Sequence, residues 1–185
     1  IDQALALFGW EHTPEVFARM NCNNTLGGDA EDHCTVTLYD PNRVAPQVDV
    51  IVSSFMGFPQ GEMYNVCGTQ GTLTGGFSAL KWRWFDPEEA PEHEMWNWSV
   101  DRRYPGEELK WYEDSWELSQ EQEKNVVGYT LKSLPSGAER YYHNLYDVLR
   151  NGTELLIQPW QVRKQIDVLE QSHNQNPLPK RAEQG

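Results

Sequence analysis

The chain has 185 residues, a formal net charge of −13 and 38% hydrophobic residues. That length suits one domain with a real core, much of it supplied by eight Trp, eight Tyr and six Phe. The acidity disfavours non-specific binding to nucleic acid or anionic lipid, which want clustered Lys and Arg, and no apolar run approaches the roughly 18–20 residues that span a bilayer.

The opening, "IDQALALFGW", places Ile1, Leu5 and Phe8 at the spacing of one buried helical face, and Gly9 is a natural stop. No Ser, Thr, Asp or Asn stands outside the first turn to cap it. The stretch is too short and too poor in basic residues for a secretory signal, and it carries Asp2. The chain is therefore expected to start inside a helix of a longer protein. A polar loop is expected from Asn21 to Asp29. "HCTVTLY" (His33–Tyr39) alternates, with Cys34, Val36 and Leu38 on one face of a strand. Asp40–Gln47 has the composition of a hairpin loop, and Val48–Phe55 is the β-branched partner strand. "EMYNVCG" and "TLTGGF" flank a tight Thr69-Gln70-Gly71 connection. Leu80–Asp86 alternates again, with Trp82 and Trp84 on one face and Lys81, Arg83 and Phe85 on the other.

Pro87–Ser119 reads as a long excursion rich in Glu, Pro and Trp, with one strand near Leu109–Trp116. Ser136 and Glu139 have capping-box spacing before a helix through Tyr142, Leu145, Val148 and Leu149, closed by Asn151-Gly152. "TELLIQ" is a linker or short strand. Pro159 suits the first turn of a last helix whose apolar face is Val162, Ile166 and Leu169. The ordered part is expected to end after His173. Residues 1–178 are thus expected to form a single α+β domain, a large and mostly antiparallel sheet with flanking helices, followed by a polar tail at 179–185.

Catalytic signatures are absent from this sequence. Gly68, Gly71, Gly75 and Gly76 lack GxGxxG spacing and precede no helix, so they are turn glycines. "DAEDH" (Asp29–His33) sets carboxylates beside an imidazole, as a metal half-site or an acid/base pair would, but it sits in a loop entering a strand and no second His cluster accompanies it, so it reads as a solvated loop. His143 reads as a surface residue, His173 as a helix-terminal one, and His12 and His93 have no informative neighbours. Trp82 and Trp84 suit a core or a sugar-stacking platform, with Trp96, Trp98, Trp111 and Trp116 as loop anchors. Cys22, Cys34 and Cys67 match no zinc or disulfide framework and are expected to be buried, reduced thiols of a cytoplasmic protein. The acceptor patterns at Asn23, Asn97 and Asn151 are then coincidental.

Three stretches together resemble the Gfo/Idh/MocA-type oxidoreductases, the family of glucose–fructose oxidoreductase and inositol dehydrogenase. Tyr141–Leu178 is similar to the family's end: an aromatic-rich helix with a Gly turn, a "TPEEVRRQI"-like helix and an Asn-Pro close. Phe58–Pro91 is similar to the central strands of one bacterial branch. "IDQALALFG" is similar to the helix after the family's Asp-x-x-x-His element. Gln158 and Trp160 depart from the usual Thr and Glu, which weakens the expected cap of the last helix. The resemblance implies the C-terminal substrate-binding and oligomerisation domain of an NAD(P)-dependent oxidoreductase acting on a sugar, polyol or inositol-like alcohol. Its Rossmann half, Glu-Lys-Pro element and catalytic Lys and His would lie outside this chain. Asp29 and His33 fit Asp-x-x-x-His by letter count, but they come a loop too late and lead into a strand. Substrate contacts are then expected from Asp2, which matches the family's trailing Asp, and from Trp82 or Arg83, which point to opposite sheet faces so that at most one serves a given face. No catalytic, cofactor-binding or metal residue is expected here; NAD or NADP would bind the full-length protein, whose domain would associate with its Rossmann half and form a homo-oligomer through a sheet face. A stand-alone carbohydrate-binding or protein-interaction module is the rival reading.

Overall fold

A computed structural model describes residues 1–22, 30–54, 56–58, 61–76, 78–91, 109–117 and 137–177. Among them the fold is α+β, with seven strands in two antiparallel sheets and three helices. The chain divides into two compact units, Ile1–Pro59 with Asp147–Gly185, and Gln60–Tyr146.

In the first unit, helix α1 (Asp2–Phe8) precedes β1 (Glu15–Asn21), β2 (His33–Tyr39) and β3 (Val48–Ser53), which pair in the order β1-β2-β3. Helix α1 buries Ala4, Leu5 and Phe8, close to the expected face, and stops at Gly9, whose φ of 101° a side chain rarely tolerates. Ile1 caps it with no side-chain bond. Val16 lies opposite Leu38 and Leu38 opposite Val48; the next inward row is Ala18, Val36 and Val50. These rows meet α1 and Val168 of helix α3 (Pro159–Gln175), forming a core in which Leu5, Phe8, Leu38 and Val168 are fully buried. Each large side chain there contributes about 1.5–3 kcal/mol through burial. Strand β1 was not anticipated, because Ala18 is a weak apolar signal on the inward row and the apolar Phe17 stands on the outward one.

Helix α3 differs from the sequence expectation in the face it docks. Val162, Ile166 and Leu169 are 44%, 56% and 39% exposed, whereas Val168 and Ser172 are buried. The helix approaches β1 through its small side, where Ser172 Oγ folds back onto the Val168 carbonyl at 2.8 Å. It runs to Gln175, two residues beyond the expected end, because its last residues bond to β1. Its start is capped despite the departures at Gln158 and Trp160: the Gln158 N–H donates to Gln161 Oε1 at 2.9 Å. Residues 152–158 contain no strand.

The second unit holds β4 (Tyr64–Cys67), β5 (Gly71–Gly75), β6 (Ala79–Phe85) and β7 (Trp111–Glu117), an antiparallel meander in sequence order. Gly71 and Gly75 are required by close approach: a Cβ at either would fall 2.4 and 2.2 Å from the Arg83 and Ala79 carbonyl oxygens. Helix α2 (Gly137–Asn151) follows as expected, with Tyr142 and Leu149 exposed. The expected cap Ser136, the sequons at Asn23 and Asn97, His93, Trp96, Trp98, Asp29, most of the 87–119 excursion and the 179–185 tail lie outside the described residues.

Candidate functional site

Antiparallel pairing sorts the second sheet into two chemically different faces. On one, Asn65, Thr74, Lys81 and Ser115 form a cross-strand row, and Cys67, Thr72, Arg83 and Glu113 form the next. On the other stand Val66, Leu73 and Trp82, with Leu80 opposite Trp116 and Trp84 opposite Tyr112. Period-2 alternation within each strand makes this separation inevitable once the register is set.

The polar face carries a concavity of about 580 Å³ lined by Thr72, Thr74, Lys81, Arg83, Glu113 and Ser115, with Trp82 and Asp114 contributing from between them. Arg83 is held on two sides: Nε lies 3.2 Å from Glu113 Oε1, and the guanidinium carbon lies 4.7 Å from the Trp111 ring centre. Phe85 packs edge-on against the same Trp111 at 5.5 Å. An arginine so stacked and paired loses less freedom when it donates its remaining N–H groups to a ligand. Thr74 Oγ1 donates to Asn65 Oδ1 at 2.8 Å. Among the described residues no carboxylate pairs with the Lys81 ammonium. Hydroxyls, one braced guanidinium and one uncommitted ammonium are groups that recognise a hydroxylated or anionic small molecule.

Trp82 and Arg83 thus adjoin in sequence but look to opposite faces, as alternation implies; Trp82 is half-buried, between Leu73 on one neighbouring strand and Asp114 on the other. Lys81 shares the face of Arg83 by alternation within β6, but Thr72, Thr74 and Ser115 were not singled out from the sequence, because only the register places them beside Arg83. Beyond the concavity, Glu89 accepts from the Lys110 ammonium at 2.9 Å and from the Tyr112 hydroxyl. Those bonds, Tyr112's first, hold the Glu89 carboxyl below the usual carboxylate range. Tyr112 in turn stacks on Trp84 at 5.7 Å.

Asp2 belongs to the first unit. It is exposed in the first turn of α1, and its Oδ1 accepts from Gln165 Nε2 at 2.9 Å. That amide orients the carboxylate and leaves its other oxygen available for a ligand hydroxyl. Nearby, the Lys164 ammonium donates to the Trp10 and His12 carbonyls at 2.6 and 2.7 Å, fixing the turn after α1 onto α3.

The acid–imidazole stretch divides. Glu31 Oε1 lies 3.2 Å from His173 Nε2, while His173 Nδ1 faces the Leu169 carbonyl at 2.9 Å. Among the described residues no group of three or more His, Cys, Asp or Glu side chains is arranged to hold a metal ion. All three cysteines are free; Cys22 and Cys34 are half-buried but Cys67 is exposed, unlike the buried thiols expected. Burial, and then the Glu31 charge, push the Cys34 thiol up. Among the described residues no helix is long and apolar enough to cross a membrane.

No protein-family model matches the chain, and no curated protein sequence matches it. Among solved structures it is similar to an oxidoreductase from Bacillus cereus, with 14% identity and a TM-score of 0.57 over 94% of this chain and 46% of that one. Lower-scoring likenesses are to proteins described as oxidoreductases from Bacteroides fragilis (18% identity, TM-score 0.49, 96% and 47% coverage) and Bacillus subtilis (17%, 0.48, 94% and 46%). The chain spans about half the length of the solved chains it matches, and it shares the fold of that part of the Bacillus cereus oxidoreductase.

Proposed function

We propose that the chain is the substrate-binding and oligomerisation part of an NAD(P)-dependent oxidoreductase of the Gfo/Idh/MocA type, acting on a sugar, polyol or inositol-like alcohol. The observation that carries this reading is the fold match across 94% of this chain to under half of an oxidoreductase. A nicotinamide cofactor, supplied with its own dinucleotide-binding domain, would take the hydride from the alcohol carbon. The residues here would then bind and orient. Arg83, Lys81 and the Thr72, Thr74 and Ser115 hydroxyls would hold the substrate's oxygens on the polar face; in the other unit, Asp2, steadied by Gln165, is a separate candidate acceptor for a hydroxyl. The aromatic face, with Val66, Trp84 and Trp116 at 43%, 37% and 38% exposure, would be the subunit contact, and Trp82 belongs to that face.

The test is to express the full-length coding sequence and follow NAD and NADP reduction with a panel of sugars and polyols. Turnover with a hydroxylated substrate is expected, and Arg83→Ala should raise KM by about tenfold or more, the scale of a lost charge-assisted hydrogen bond. Absence of reduction of either cofactor across the panel would overturn the reading. The 185-residue chain alone is expected to bind neither dinucleotide tightly; submicromolar affinity there would also count against it.

A further inference from the structure

Among the described residues strand β1 lies at the edge of its sheet, paired with β2 on one side only. Such an edge offers a row of N–H and C=O groups to any strand that arrives. Here the row is occupied from the end of α3. Gln175 Oε1 accepts from the Ala18 N–H at 2.8 Å, and its Nε2 donates to the Val16 carbonyl at 2.7 Å. Asn176 Oδ1 accepts from the Met20 N–H at 3.1 Å, and its Nδ2 donates to the Ala18 carbonyl at 2.8 Å and to the Ser172 carbonyl at 2.9 Å. Each amide bridges the N–H of one residue and the C=O of the residue two before it. That is the pattern one residue of a parallel strand makes with its neighbour. Two consecutive side chains therefore satisfy the outward groups of three alternate β1 residues, with no strand present.

The close approach this needs is built into the sequence. Ala18 and Ser172 are both 1% exposed, and neither has a bulky side chain to hold the helix off the strand. Pro177, next along, has no N–H to compete for the same carbonyls.

We propose that Gln175 and Asn176 are a guard that closes the β1 edge against pairing with a second copy of this protein. The uncovered edge is self-complementary. An antiparallel pair centred on Ala18 would set Val16 against Met20 and Phe17 against Arg19, an apolar pair and a cation–aromatic pair. Phe17 is 53% exposed on the open face of the sheet, so its side of the pair is already accessible.

The experiment uses the full-length protein and the double variant Gln175→Leu/Asn176→Leu. Sedimentation over a range of concentrations should show the variant reaching about twice the wild-type mass by one further association step. In dilute solution the variant's Ala18 and Met20 amides should exchange about tenfold or more faster than in wild type, and they should regain protection as it associates. A folded variant that keeps the wild-type mass throughout, or associates without re-protecting those two amides, overturns the proposal. The wild-type protein supplies a test that needs no variant. Its Ala18 and Met20 amides should be protected at every concentration, and fast exchange there would overturn the guard outright.

Discussion

Removing the Lys164 ammonium tests how the turn after α1 is held. Nζ donates to the Trp10 carbonyl at 2.6 Å and the His12 carbonyl at 2.7 Å, across more than 150 residues of chain. Trp10 also meets Trp160 edge-on at 5.9 Å, so the same turn is gripped by an aromatic contact one helical turn away. Hydrogen bonds to a charged group contribute about 1.5–3 kcal/mol each. Lys164 is only half-buried, and water can replace part of what is lost, which brings the expected cost of Lys164→Met to about 2–3 kcal/mol. Methionine keeps most of the aliphatic stem, so packing loss adds little. Urea unfolding followed by tryptophan fluorescence measures it, with Arg163→Met, on the exposed neighbour, as the reference expected within about 0.5 kcal/mol of wild type. A Lys164→Met loss no larger than the reference would refute the argument that these two bonds anchor α1 to α3.

Three further outcomes follow from the geometry. Phe8→Ala, at a side chain 1% exposed in the core, should cost about 3–5 kcal/mol in the same unfolding assay. Gly75→Ala combines a φ of 148° with a Cβ 2.2 Å from the Ala79 carbonyl oxygen; a thermal melt should fall by several degrees, and an unchanged melt would show that the β5–β6 turn relaxes freely. Glu89 has a depressed folded-state pKa, so its stabilising effect is present above the ordinary value of 4.5 and is lost as pH falls through the lower, folded one. Glu89→Gln should therefore be less stable than wild type at neutral pH and should flatten the acid limb of stability against pH; parallel limbs would remove Glu89 from the account.

Local order was legible wherever one period dominated. "HCTVTLY" alternates cleanly, and β2 spans His33–Tyr39 as read; Pro159 opens α3 for the reason its missing N–H suggests. Strand β1 was hidden because an edge strand closed by side-chain amides needs a small residue, Ala18, where alternation would favour a large one. The site was half-legible. Alternation put Lys81 and Arg83 on one face and Trp82 on the other, but Thr72, Thr74, Glu113 and Ser115 joined them only through the register of three strands.

What the sequence by itself determined, β1 aside, is which of the described segments are helix or strand and which side chains of one element share a face, since these depend on spacing along that element. Tertiary structure alone decided which face is used. The larger apolar stripe of α3, Val162, Ile166 and Leu169, stays exposed in the structure, while the smaller side carrying Val168 and Ser172 docks on β1. A hydrophobic period registers transfer free energy, whereas docking also depends on how near two backbones can come and which polar groups meet there. At the β1 edge, four unpaired backbone groups and two terminal amides settled that choice.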